Sequence, residues 1–276
     1  MRPMFLFFGA KWRLAKSLGP PQRDTIIEPF AGSAGYSSYW AERARRVILV
    51  GIDPVIAGLW RYLTKVRERE ILSLPTNIHD LNELPRSTCQ EARDLIGLWF
   101  NRAVVKPQQR RSQWAREPRY ATMFWGECIK YRIAQQLKYV RHWEIRESDY
   151  TAAPDLTAHW HIDPPYEQAG KHYEHNHIDR DALARWCRTR KGFTQVCEAE
   201  HATWLPFEQF GRTTSHHRAH GVRAHGYSQE AIFETEPSTE TPHHAAHVQR
   251  RLTPNSRVHP PKPSPKTAPR PPHSRN

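Results

Sequence analysis

The 276-residue sequence predicts an α/β fold built on a parallel sheet, and three observations predict it. Val47-Ile48-Leu49-Val50-Gly51-Ile52 is an unbroken apolar run that closes on Asp53, the mark of a strand buried on both faces. Thr25-Ile26-Ile27-Glu28-Pro29-Phe30 is a shorter buried-strand signal that breaks into the small-residue loop Ala31–Gly35. Over the first 66 residues strand, helix, strand and helix alternate, the order of a parallel sheet with crossover helices.

The elements follow in chain order. Met4 to Phe8 is apolar and aromatic, and Gly9-Ala10 turns it into Lys11-Trp12-Arg13-Leu14-Ala15-Lys16. The spacing predicts a helix there that ends near Gly19-Pro20-Pro21. Tyr36 to Arg46 reads as a helix, as does Val55 to Val66, with Leu59, Leu63 and Val66 on one face. Residues 75–126 break the alternation. Glu91 to Phe100 is helical in pattern, and Lys106 to Arg116 is basic, amide-rich and poor in apolar residues. Cys128 to Trp143 returns to helix with the stripe Ile129, Ile133, Leu137 and Val140. Trp143 to Tyr150 reads as a strand ending at Asp149.

Ala158 to Ile162 alternates in polarity and stops at Asp163-Pro164-Pro165-Tyr166. Proline has no N–H and forces extended geometry on the residue before it, so the strand must leave the sheet here. Gln168 to Ile178 is a polar, His-rich loop. Asp179 to Arg188 is a helix with an Asp cap, Phe193 to Glu198 a strand, and Trp204-Leu205-Pro206-Phe207 opens a short element. His216 to His225 is expected to be a basic loop, and Tyr227 to Glu234 the last strand. From Pro237 on, ten prolines and few apolar residues predict a disordered, Pro-rich basic tail over 237–276. The folded domain is then 1–236, with an inserted region at about 75–126.

Lys and Arg number 41 against 28 Asp and Glu, a formal +13. The tail holds seven Lys/Arg against Glu240, which leaves +7 on residues 1–236. That balance suggests a polyanionic partner, most often nucleic acid. Cys89, Cys128, Cys187 and Cys197 show no paired spacing and read as reduced thiols of a cytoplasmic protein. No apolar run reaches membrane-spanning length, and no signal-peptide pattern opens the chain. The histidine groups at 172–177 and 216–225 lack accompanying cysteine pairs, so no metal site is expected.

In a parallel sheet, ligands bind off the carboxyl ends of the strands. Ala31–Gly35, Asp53 and Asp163 would all lie on that edge. Gly32 and Gly35 let a ligand approach the backbone. Asp53 can accept from a ribose diol, with capping of the helix at Pro54 as the rival role. Lys11 and Glu28 bring opposite charges near the same edge. At Asp163, carboxylate and main-chain oxygens set edge-on, with the Tyr166 ring beside them, suit a planar group bearing an exocyclic amine, such as a nucleobase turned out of its stack.

Phe7-Phe8-Gly9-Ala10-Lys11-Trp12-Arg13-Leu14-Ala15, Ile27-Glu28-Pro29-Phe30-Ala31-Gly32-Ser33-Ala34-Gly35-Tyr36 and Asp163-Pro164-Pro165-Tyr166 occur in that order. This set resembles the motifs of the Dam-like (D12 class) DNA adenine-N6 methyltransferases, most closely their compact phage-type members. Arg141-His142-Trp143-Glu144-Ile145 and the stretches Val196–Glu200 and Trp204–Phe207 also fit that subgroup. The resemblance covers about residues 4–236.

It implies the class I, Rossmann-like methyltransferase fold: a mixed sheet with helices on both faces, a terminal antiparallel hairpin and a small inserted target-recognition region. It implies S-adenosylmethionine as methyl donor, DNA as partner, and a role in restriction-modification or the marking of phage DNA. It assigns cofactor contact to Phe7, Lys11, Glu28, Phe30, Gly32, Asp53 and Asp163, and catalysis to Asp163, Pro164, Pro165 and Tyr166. Ala34 stands where the family often has glycine, and Phe7 where it often has Trp or Tyr. DNA contact is expected from Lys106, Arg110, Arg111 and Arg116, with Gln108, Gln109 and Gln113 reading base edges. Cytosine-N4 methylation and a non-catalytic DNA-binding relative are the alternatives. Oligomeric state is left open, a monomer being compatible.

Overall fold

The structure, a computed structural model, describes residues 1–167, 173–219 and 222–236, without the side chains of Ala121, 212–219 and 222–228. The chain divides into the unit Met1–Pro237 and the unit Ser238–Asn276. The expected Pro-rich tail lies outside the described residues.

Among the described residues, seven strands form one sheet. They are β1 (Thr25–Glu28), β2 (Arg46–Gly51), β3 (Glu144–Glu147), β4 (Ala158–Ile162), β5 (Gly192–Ala199), β6 (Glu208–Ala219) and β7 (Val222–Thr235), in the order β3-β2-β1-β4-β5-β7-β6. The pairings β1–β2, β1–β4, β2–β3 and β4–β5 are parallel. β7 runs antiparallel to both β5 and β6. The expected α/β class with a mostly parallel sheet is therefore present.

The run in β2 is apolar throughout because both its faces are covered. Val47 and Leu49 join one core with Ile26 of β1, whereas Ile48 and Val50 join a second with Ile27, Trp160 and Ile162. Among the helices are α1 (Ala15–Leu18), α2 (Gly35–Tyr39), α3 (Pro54–Lys65), α4 (Glu68–Leu72), α5 (Gln90–Leu98), α6 (Glu127–Val140) and α7 (Arg180–Arg188). Leu59, Trp60 and Leu63 of α3 and Ile129, Ile133 and Leu137 of α6 fill the first core; Leu183, Ala184 and Cys187 of α7 fill the second.

Two expectations change. The helix foreseen over 36–46 stops at Tyr39, because the Arg45 and Arg46 amides both donate to the Asp24 carbonyl, at 2.9 and 3.2 Å, and draw the chain into β2. The basic loop foreseen at 216–225 is instead backbone of β6 and β7, whose register pairs His216 with His225 and Arg218 with Arg223. The inserted region shares the main core, since Leu81, Leu95, Trp99, Phe100 and Trp125 belong to the same cluster as Ile26 and Val47.

β1 lies between β2 and β4, so the connections run one way from it on one side and the other way on the other. A parallel sheet opens a crevice at the carboxyl ends of its strands at such a reversal.

Candidate functional site

A cleft of about 850 Å³ opens at that reversal, a size suited to a small organic ligand. Its walls come from the segments that leave four strands at their carboxyl ends: Pro29–Gly32 after β1, Gly51–Asp53 after β2, Ser148–Tyr150 after β3, and Asp163 with Pro165 after β4. Phe7 closes it from the amino-terminal segment, and Lys106 and Pro107 from the inserted region.

The loop after β1 is held open by backbone conformation. Gly32 sits at φ +45°, and a side-chain carbon there would lie 3.2 Å from the Phe7 ring. Its carbonyl accepts from Trp60 Nε1 at 2.9 Å. Ala34 also lies in the left-handed region, at φ 45°, so the position where glycine is expected does adopt the geometry that glycine favours. Gly35 meets a different demand: a side-chain carbon there would stand 2.7 Å from the Trp12 amide nitrogen and 2.8 Å from that of Lys11. Its lack of a side chain lets the turn carrying Lys11 press onto α2.

Lys11 is almost fully buried, with 6% of its surface exposed. Its Nζ lies 2.9 Å from Asp163 Oδ1, an ion pair whose angles fall short of a directed hydrogen bond, and donates to the Gly9 carbonyl at 3.1 Å. The same ammonium stands 4.0 Å from Glu230 Oε2 and 4.5 Å from the centre of the Tyr166 ring. The Tyr166 hydroxyl donates to Glu230 Oε2. Burial opposes the charge on Lys11, but the carboxylates of Asp163 and Glu230 outweigh it and hold its pKa above the ordinary lysine value. Burial pushes Asp163 up to about 6 against the pull of Lys11.

Of the residues assigned to the cofactor, Phe7, Phe30, Gly32, Asp53 and Asp163 line this one cleft. Phe30 stacks on Tyr150, with ring centres 5.2 Å apart. Asp53 fills the capping role foreseen as the rival reading and also lines the cleft. Its Oδ1 caps α3, accepting from the Val55 and Ile56 amides at 2.9 and 3.3 Å.

Lys11 and Glu28 are buried outside the wall. Glu28 accepts from the Ser37 amide at 2.6 Å, and burial pushes its pKa up to about 8. A carboxyl so enclosed meets α2 rather than a ligand, which corrects its assignment as a cofactor contact. Pro164 is buried, and the Pro165 carbonyl accepts from Arg180.

The basic cluster divides. Lys106 is exposed and reaches the cleft, and Arg116 is exposed. Arg110 is exposed but paired to Asp80 at 2.5 Å, and Gln109 donates to the same carboxylate at 2.7 Å. Arg111 is buried, donates to the Trp125 carbonyl at 2.6 Å and lies over the Phe100 ring. It holds the inserted region together, which corrects its assignment to DNA: in an apolar-poor sequence run, a structural arginine looks like an exposed one.

Sequence reasoning missed Glu230, Tyr150 and Tyr173; Asp149 reads from sequence as a turn-former as readily as a lining residue of a cofactor's adenine pocket, and so stands outside the expected site. Asp149 lines the cleft while accepting from the Thr151 amide and hydroxyl at 2.9 and 2.7 Å. Tyr173 also lines it and donates to the Phe8 carbonyl at 2.9 Å. Glu230 carried one weak signal, an acidic residue directly before the apolar run Ala231-Ile232-Phe233 of the last strand.

No protein-family model and no curated protein sequence matches the chain. Among solved structures, a conserved hypothetical protein from Streptococcus pyogenes is similar over 77% of this chain and 86% of its own, at 9% identity and a TM-score of 0.34. A likeness at that level carries no argument about function.

Proposed function

We propose that the chain is a DNA methyltransferase of the class I, Rossmann-like type that transfers a methyl group from S-adenosylmethionine to N6 of adenine. One observation carries this reading: Phe7, Gly32, Asp53 and Asp163, drawn from four separate stretches of the sequence, line a single cleft at the switch point of the sheet.

The cleft suits the methyl donor by its chemistry. S-adenosylmethionine joins a purine, a ribose diol, a sulfonium, an ammonium and a carboxylate. Ile52, with half its surface exposed in the wall, and Ile145 offer apolar faces to a flat base. Asp53 Oδ2 remains to accept from a diol while Oδ1 caps the helix. Gly32 leaves main chain bare beside Phe7, and the carboxylates of Asp149 and Asp163 oppose positive charge. When bound there, the cofactor supplies an electrophilic methyl group.

The protein's own residues handle the amine. The lone pair of adenine N6 is delocalised into the ring and is a poor nucleophile. Asp163, fixed through Oδ1 by Lys11, presents its other oxygen to one N–H, and the neighbouring Pro164 carbonyl takes the second. Both bonds draw the nitrogen toward tetrahedral geometry and aim its lone pair into the cleft. Positive charge that develops on N6 is stabilised by the carboxylate, so alignment and preorganised electrostatics supply the catalysis. Lys11 lies against one face of Tyr166, so an extruded base stacks on the other. Lys106, beside the cleft, meets a phosphate, and the β6–β7 hairpin adds Arg212, Arg218 and Arg223 in a stretch, 209–229, with no acidic residue.

The test is transfer of labelled methyl from S-adenosylmethionine to unmethylated DNA, followed by digestion to nucleosides. N6-methyladenine is the expected product, and N4-methylcytosine would move the assignment to the other exocyclic amine. Asp163→Ala should lose at least ~100-fold in turnover while its melting transition stays cooperative. Near-normal turnover in that variant refutes the role given to Asp163.

A further inference from the structure

Glu230 lies at a junction in the fold. The β5–β7 ladder ends at the pair Ala199↔Glu230, and residues 222–228 of β7 pair, among the described residues, with β6 alone. At ~3.3 Å per residue this ribbon is roughly 23 Å long. The residue at its root touches both the catalytic segment and the lysine beside it, accepting from the Tyr166 hydroxyl and standing 4.0 Å from Lys11 Nζ. Lys11 in turn is 2.9 Å from Asp163. Glu230 is buried, at 6% exposure, so these contacts are made where water screens them little.

We propose that Glu230 is a positioning residue of the methyl-transfer site: it holds the Tyr166 ring by its hydroxyl and shares the Lys11 ammonium with Asp163, tying the catalytic tetrapeptide to the root of the hairpin. This rests on the function proposed above and adds to it a residue that touches neither amine nor cofactor. Two distinct effects follow. The hydrogen bond fixes the ring that the extruded base meets. The negative charge competes with Asp163 for Lys11 and makes the Asp163 carboxylate a better acceptor. The groups facing Asp163 are Lys11, Tyr166, Glu230, Cys197 of β5, Tyr173 and Glu28 of β1. Lys11 is the cation among them, which is why the division of its charge matters.

Glu230→Gln separates the two effects, because the amide oxygen still accepts from Tyr166 but carries no charge. The side-chain carboxyl carbon of Asp163, assigned by the loss of its resonance in Asp163→Asn, is titrated by NMR. Its midpoint, about 6 in the parent, should fall by about 1 unit in Glu230→Gln, and the acid limb of kcat/KM should fall with it. Glu230→Ala should lower kcat at least ~10-fold in the parent, but less than ~3-fold in a Tyr166→Phe background, since the second change then breaks a bond already lost. An unmoved Asp163 midpoint in Glu230→Gln, or losses that multiply fully in the double variant, overturns the proposal. If Glu230→Ala does not fold, Glu230→Gln decides. Should the parent transfer no methyl group to DNA, the functional reading fails by itself, and the NMR midpoint still judges the Glu230–Lys11–Asp163 arrangement.

Discussion

Burial sets the protonation of residues on two neighbouring strands in opposite directions. Glu28 on β1 is raised to about 8 by burial, against the pull of its bond from Ser37. His159 and His161 on β4 each stack on Tyr36, at ring separations of 4.8 and 4.4 Å, and burial lowers each to about 3. For Glu28 the folded state holds the proton more tightly than the unfolded one. Its contribution is present below pH 4.5 and is lost as pH rises to about 8. For the histidines the unfolded chain binds protons first, so their contribution is present above pH 6.5 and is lost as pH falls toward 3. Melting temperature against pH should therefore decline on both sides. Glu28→Gln, which keeps an acceptor for Ser37, should flatten the alkaline decline and leave the acid one. An alkaline limb of unchanged steepness would mean that Glu28 is ionised in the folded protein.

At the scale of elements, the loop from β1 into α2 makes two demands that look alike in sequence. Ala34 takes a left-handed conformation that costs an L-residue roughly 1–2 kcal/mol, yet its methyl group is fully buried and contributes about 0.8 kcal/mol. Ala34→Gly relieves the first and loses the second, so its stability should stay within ~1 kcal/mol of the parent. Gly35→Ala has no such compensation. Its new carbon would meet backbone at 2.7 and 2.8 Å, and backbone cannot rotate away as a side chain can. A loss of about 1–3 kcal/mol is expected in urea unfolding, because the Lys11 turn is pushed outward. Equal effects at the two positions would contradict the packing described for this loop.

Across the whole molecule, the net positive charge resolves into separate populations. Arg111 is internal, Arg110 is neutralised by Asp80, and Lys11 is spent on Asp163. The hairpin differs. Arg218 and Arg223 are paired positions in the register of β6 and β7, and the stretch 209–229 holds no acidic residue. On the function proposed above, replacing both with serine should weaken DNA binding and reduce the magnitude of the log Kd against log salt slope by about 1.8, at ~0.9 per phosphate contact. Arg111→Ser should instead lower the melting temperature, since it removes the bond to Trp125 from the core. An unchanged salt slope in the hairpin variant would take the β6–β7 ribbon out of the interface.

The sequence alone determined the alternation of strands and helices, the break at Asp163-Pro164-Pro165 and the small-residue loop after β1. Each rests on local physics: apolar runs for doubly covered strands, proline for a strand's end, glycine where backbone must pass close. It also marked Asp53, through its place before Pro54, though not that one carboxylate could cap a helix and face a cleft together. Tertiary structure decided which charges face inward. Arg111 and Glu28 are buried, and Glu230 reaches Lys11 and Tyr166 from more than sixty residues away, because strands distant in the chain become neighbours in the sheet. Periodicity reports the face a residue occupies, but partners across a sheet are set by strand order, which no local pattern encodes.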